Sequence, residues 1–78
     1  MKSQDSKYLV MLGNNIRDLR KSQNMSQEEL AFKAEIDRSY IGGIERGERN
    51  VSFLTLVKLA KCLNCKITDF AKDIPNDK

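Results

Sequence analysis

Two groups of side chains in this sequence could do chemistry. Cys62 and Cys65, separated by Leu63 and Asn64, form a C-x-x-C pair whose sulfurs could bind a metal or cycle between thiol and disulfide. A zinc site ordinarily takes four ligands, and the chain has no histidine and no second cysteine pair to complete one. At helical spacing the two thiols read instead as small apolar core residues, the setting free cysteine most often occupies. Without histidine no nucleophile, base and orienting group can be assembled, no paired carboxylates mark a pocket, and no glycine-rich loop is placed to cradle a phosphate. The expectation is a protein with no catalytic residues, no metal ligands and no cofactor.

The second group is Gln27, Arg38, Arg46 and Arg49. A single arginine on a surface is usually a solvated charge of little consequence. Here the polar and cationic side chains gather at helix starts and in the loop that follows, which favours a shared anionic partner. Fourteen Lys and Arg against eleven Asp and Glu give a formal charge of +3, compatible with a polyanion without demanding one. An apolar fraction of 40% and a charged fraction of 32% describe a soluble globular chain rather than a disordered one. Seventy-eight residues suffice for one small domain, near the lower limit of what folds without metal, disulfide or partner chain. That domain is expected to span residues 1–78, with its core at about 7–73 and short polar termini. Few aromatic residues and no tryptophan point to an aliphatic core. Residues 1–7 are polar and the apolar cluster from Tyr8 to Leu12 is too short for a signal sequence, while no stretch reaches membrane-spanning length. The expected location is the cytoplasm.

These side chains must be positioned by helices, since the apolar residues show almost no strict alternation of the kind a half-buried strand requires. Leu9, Leu12, Ile16 and Leu19 recur at helical spacing and predict a first helix over about residues 5–23, ended by Asn24. Ser26-Gln27-Glu28-Glu29 is a capping box that starts a second helix, with Leu30, Ala31 and Ala34 on its inner face and its end at Glu35-Ile36. Asp37 suits the N-cap of a third helix carrying Tyr40, Ile41 and Ile44 and ending near Gly47. Ser52 caps a fourth, with Leu54, Leu56, Val57, Leu59, Ala60 and Leu63 as apolar positions and Asn64 closing it. Lys66 or Thr68 opens a short fifth helix containing Phe70, before Pro75 and a charged tail.

Two short helices joined by a turn, the second polar near its start, form a helix-turn-helix, whose geometry suits duplex DNA. The first helix of the pair crosses the backbone with its N-terminal amides towards phosphate, and the second enters the major groove with its early residues at base edges. Gln27 and the segment 38–43 occupy those two places.

The run Met25-Ser26-Gln27-Glu28-Glu29-Leu30-Ala31, followed by Ile36-Asp37-Arg38-Ser39-Tyr40-Ile41, Ile44-Glu45-Arg46-Gly47 and the stretch from Leu56 to Leu63, resembles the Xre and Cro/C1 helix-turn-helix family over roughly residues 12–70. Within it, Asp37-Arg38-Ser39-Tyr40-Ile41-Gly42-Gly43-Ile44-Glu45-Arg46 with Arg49-Asn50 is most similar to the controller proteins of restriction-modification systems. The resemblance implies an all-α, five-helix fold of the lambda-repressor type and a transcriptional regulator that binds operator half-sites as a homodimer. It implies a phosphate contact for Gln27, base contacts for Arg38 and Ser39, and a backbone or thymine contact for Tyr40. Arg46, Arg49 and Asn50 would reach phosphates, with Arg49 also able to fork onto a guanine edge. Gly43 falls where related repressors often carry a longer reading side chain. Arg20 stands with the DNA-binding set and also matches, with Glu45, a pair that bridges the first and third helices. Glu35 replaces the glycine usual at the turn, so a left-handed backbone there would carry strain.

A chain this small is expected to dimerise through its fourth and fifth helices, with Val51, Phe53, Ile67 and Phe70 as the apolar candidates. The implied partners are double-stranded operator DNA and a second copy of the chain, with RNA polymerase a further candidate, and neither membrane nor small-molecule substrate. The competing readings are a phage-type repressor and an antitoxin or other protein-binding module built on the same fold.

Overall fold

A computed structural model describes residues 3–75, among which there are five helices and no strand. The helices are α1 (Ser3–Ser22), α2 (Gln27–Ala34), α3 (Arg38–Glu45), α4 (Phe53–Cys62) and α5 (Ile67–Phe70). The expected all-α architecture is present, and α1 begins slightly earlier than its apolar stripe indicates. The charged tail after Pro75, like Met1 and Lys2, lies outside the described residues. No helix of the described residues is long and apolar enough to cross a membrane.

Local chemistry sets the helix ends. Ser26 accepts from the Glu29 amide at 3.0 Å while the Glu29 carboxylate accepts from the Ser26 amide at 2.8 Å, the reciprocal pair that the sequence encodes. These bonds to Ser26 hold the Glu29 carboxyl below its usual range. Ser52 caps α4 without the reciprocal bond, its hydroxyl accepting from the Thr55 amide at 3.1 Å. At α5 the Asp69 carboxylate accepts from the Lys66 amide at 2.9 Å, so Lys66 rather than Thr68 opens the helix.

Each of the first four helices stops in a left-handed residue that turns the chain back on its last carbonyls. Asn24 (φ 57°) donates to the Lys21 carbonyl at 2.9 Å, and Met25 donates to that of Arg20 at 3.2 Å. The same pair of bonds forms around Glu35, Gly47 and Asn64, the Schellman arrangement that satisfies orphan carbonyls. The residue following three of these turns, Met25, Ile36 or Cys65, packs against the core. Cys62 packs there too, so both cysteines are half-buried at the edge of the core. Burial pushes the Cys65 thiol pKa up, disfavouring the thiolate that metal or redox chemistry would use.

The core is built from Ile16, Leu30, Ile41, Ile44, Leu59, Leu63 and Phe70, so an aromatic ring joins the aliphatic side chains. Polar bonds fasten the helices around it. Asn15 of α1 donates to the carbonyls of Phe70 and Lys72, at 2.8 and 3.0 Å, and holds α5 in place. Gln23 donates to the Leu63 carbonyl at 2.6 Å and ties the end of α1 to that of α4. Gly13 lets α1 approach the end of α3 so closely that a β-carbon there would fall 2.3 Å from the Ile44 carbonyl oxygen. Of the apolar positions of α4, Leu54 in its first turn is 72% exposed, whereas Leu59 and Ala60 are buried.

Candidate nucleic-acid interface

Residues 35–37 form the turn between α2 and α3, and Asp37 takes the extended conformation of an N-cap. Its carboxylate does not bond a helix amide, however. It accepts instead from the hydroxyl of Ser39, so this side chain orients Ser39 at the mouth of the helix rather than sealing the helix end. Arg38 is the first residue of α3 and is exposed, as is Ser39, so both early residues of the second helix face solvent. Arg46, Arg49 and Asn50, in the segment after α3, are exposed as well. Exposed cations thus stand at the start of α3 and in the segment that follows it.

Beneath this surface is a buried ion pair. Arg20 of α1 forks onto Glu45 at the end of α3, with Nε to Oε2 at 2.7 Å and Nη2 to Oε1 at 2.9 Å. Their side chains are 8% and 1% exposed, which makes the pair dry. The third nitrogen of Arg20 donates to the Met25 carbonyl at 2.7 Å, and among the described residues no buried side-chain polar atom lacks a partner. Burial alone would raise the Glu45 pKa; the bonds from Arg20 and Gln27 and the charges of Arg20 and Arg17 outweigh it and hold the carboxyl below its usual range. The expected Arg20–Glu45 pair therefore exists. Arg20 is accordingly corrected as a DNA contact: each of its three nitrogens bonds within the protein and its side chain is 8% exposed, so it is buried away from the surface that would meet DNA.

Gln27 extends this network to the surface. Its amide nitrogen donates to Glu45 Oε1 at 3.0 Å and its carbonyl oxygen accepts from Arg38 Nη1 at 3.2 Å. Sequence reasoning placed Gln27 on phosphate and missed this bridge, because the partners lie eighteen and eleven positions away and meet only when the helices cross. The signal that could have found it is the pairing of a long amide at the first position of α2 with a cation at the first position of α3. Arg46 pairs with Glu48 at 3.1 Å on the exposed surface, a weak contact that can be exchanged for another anion. The Arg49 guanidinium stands 5.1 Å from the centre of the half-buried Tyr40 ring. Gly43 is buried and supplies no side chain to a groove.

The expected dimer residues divide. Phe53 is 66% exposed at the start of α4, next to Leu54, while Val51 and Ile67 are half-buried. Phe70 is corrected: at 0% exposure it is wholly enclosed by its own chain and has no face to offer a second copy. Leu54, beside Phe53, is an exposed apolar residue that the expected set did not include.

A helix-turn-helix family model matches residues 16–70, and the chain belongs to that family. The chain is similar to the control protein C.SmaI of Serratia marcescens, 47% identical over 57 residues that make up 73% of this chain and 68% of that protein. Among solved structures it is similar to the restriction-modification controller protein C.AhdI from Aeromonas hydrophila, with a TM-score of 0.78 and 47% identity, over 80% of this chain and 94% of that one. A second controller protein, C.Esp1396I, solved as a tetramer in complex with its natural 35 base-pair operator, gives a TM-score of 0.74 at 36% identity, covering 81% of this chain and 83% of that one. The protein is a DNA-binding transcriptional regulator of helix-turn-helix type, and its likeness to the controller proteins of restriction-modification systems is borne out.

Proposed function

We propose that this chain binds operator half-sites as a homodimer and controls the genes of a restriction-modification system together with its own promoter, acting in the cytoplasm by binding rather than by catalysis. The observation that carries this is the cluster of Arg38, Arg46 and Arg49 around α3, which is held in place by the buried Arg20–Glu45 pair. Similarity to C.AhdI and to operator-bound C.Esp1396I supplies the regulatory context.

In this mechanism α3 enters the major groove. Arg38, at its first position, reaches the groove floor, where its planar fork can bond both acceptors of a guanine. Gln27 holds one edge of that guanidinium, so the side chain arrives partly oriented. Ser39 faces the neighbouring base, and Tyr40 lies against the backbone or a thymine methyl. The Glu29 amide is capped by Ser26, so the amides of Gln27 and Glu28, which have no intrahelical carbonyl to bond, are the ones that face a phosphate. Arg46 and Asn50 bond phosphates from the segment after α3, and Arg49 reaches a phosphate or a guanine edge. Two such surfaces are needed for a paired site, since one chain measures 36 × 21 × 21 Å and carries one recognition helix. Val51, Phe53, Leu54 and Ile67 provide the apolar contact between copies.

The test is a mobility-shift titration of the purified chain on the duplex upstream of its own gene and on a scrambled duplex of equal composition, followed by footprinting. The expected result is a specific complex protecting paired half-sites centred about 34 Å apart, one turn of the duplex. Equal affinity for both duplexes at every salt concentration would overturn the proposal.

A further inference from the structure

Glycine is the poorest helix former after proline, yet Gly42 and Gly43 stand side by side within the eight-residue α3. Neither has a positive φ, so the backbone does not require glycine at either position. The requirement lies in the space above them. A β-carbon at Gly43 would come within 3.0 Å of Arg49 Cγ, 3.5 Å of its Nε and 3.6 Å of its Cδ. The stem of Arg49 therefore lies flat across the helix at this point, and Gly43 is buried beneath an arginine that is itself exposed. Three residues earlier on α3 the Tyr40 ring receives the guanidinium at 5.1 Å. The returning loop is tied down at the same place, because the Glu48 amide donates to the Gly43 carbonyl at 2.9 Å.

We propose that Gly43 is a positioning residue for DNA recognition: its missing β-carbon gives Arg49 a seat across α3, against Tyr40, so that a loop arginine is presented on the same reading surface as Arg38. An arginine on an untethered loop must surrender its rotamer freedom when it binds, whereas one already laid on a helix surrenders less. Gly43 lowers the intrinsic helicity of α3, and the seat is what that loss provides. This inference rests on the DNA-binding reading of the site.

The experiment compares wild type, Gly43→Ala, Arg49→Ala and the double variant on a duplex enriched by the wild-type chain from a randomised library. Alanine is the better helix former, and the atoms it meets belong to a flexible side chain, so Gly43→Ala is expected to keep or raise the melting temperature. Its affinity is nevertheless expected to fall about tenfold, the scale of one good base contact. Arg49→Ala is expected to cost about tenfold in wild type and less than about twofold in the Gly43→Ala background, the coupling that a shared seat requires. Wild-type affinity in Gly43→Ala, an equal Arg49→Ala loss in both backgrounds, or a lowered melting temperature without coupling would each overturn the proposal. Failure of wild type to enrich any duplex would instead defeat the DNA-binding reading, and this inference with it.

Discussion

At the scale of single residues, position matters more than residue type. Glu35 closes α2 at φ 57°, where the other left-handed helix ends use asparagine or glycine. A glutamate side chain there has no short polar group to bond its own backbone, so it carries the steric cost of the left-handed region. Glu35→Gly is expected to stabilise the fold by about 1 kcal/mol, the steric relief less the added chain entropy of glycine. Urea unfolding at fixed protein concentration checks this, and an unchanged or lower midpoint would show that the turn is unstrained. The surface side chains differ in the kind of loss they should produce. Arg38→Ala is expected to cost about 1–3 kcal/mol on the cognate duplex and to flatten discrimination at one base pair. Arg46→Ala should weaken all sequences alike and reduce the salt slope by about one counterion per subunit. Gln27→Ala removes no charge, so the slope should hold, but because Gln27 tethers Arg38 the variant should lose discrimination as well as affinity. Titrations at several salt concentrations separate the three.

At the scale of elements, the Arg20–Glu45 pair joins α1 to the end of α3, and Gln27 draws in the start of α2. Glu45→Gln leaves the Arg20 charge buried without its counter-ion and is expected to cost about 3 kcal/mol at neutral pH. The pH dependence follows from the depressed carboxyl. Its folded pKa lies below the ordinary 4.5, so the contribution is complete above that value and is lost as pH falls through the folded pKa. The stability gap between wild type and Glu45→Gln should therefore be widest at pH 7 and should narrow on acidification below 4.5. A gap independent of pH would mean that Glu45 acts through packing rather than through charge.

At the scale of the whole molecule, the exposed apolar residues at the start of α4 distinguish surface from core. Leu54→Asp or Phe53→Asp is expected to weaken self-association and DNA binding together, and to leave the far-ultraviolet circular dichroism of the monomer intact. Phe70→Asp should behave otherwise and unfold the chain, since it would place a charge in a fully enclosed site. Sedimentation and circular dichroism on the same samples distinguish the two outcomes. A soluble, folded but monomeric Phe70→Asp variant would contradict its place in the core.

The helices and their ends were legible in the sequence because capping is local: Ser26 and Glu29, Ser52 and Thr55, and the left-handed Asn24, Glu35 and Asn64 act within a few positions of themselves. The helix-turn-helix and the exposed Arg38 followed from those boundaries, and even the distant Arg20–Glu45 pair was readable through family resemblance. Burial was less legible, because hydropathy cannot tell which face of a short helix meets the rest of the chain. Leu54 and Phe70 are both apolar, and only the packing of α4 and α5 against α1 and α2 decided that Leu54 faces out and Phe70 in. The contacts of Gln27 with Glu45 and Arg38, and of Arg49 with Gly43, likewise come into being only where separate segments cross, so tertiary structure alone decided how the cations are oriented.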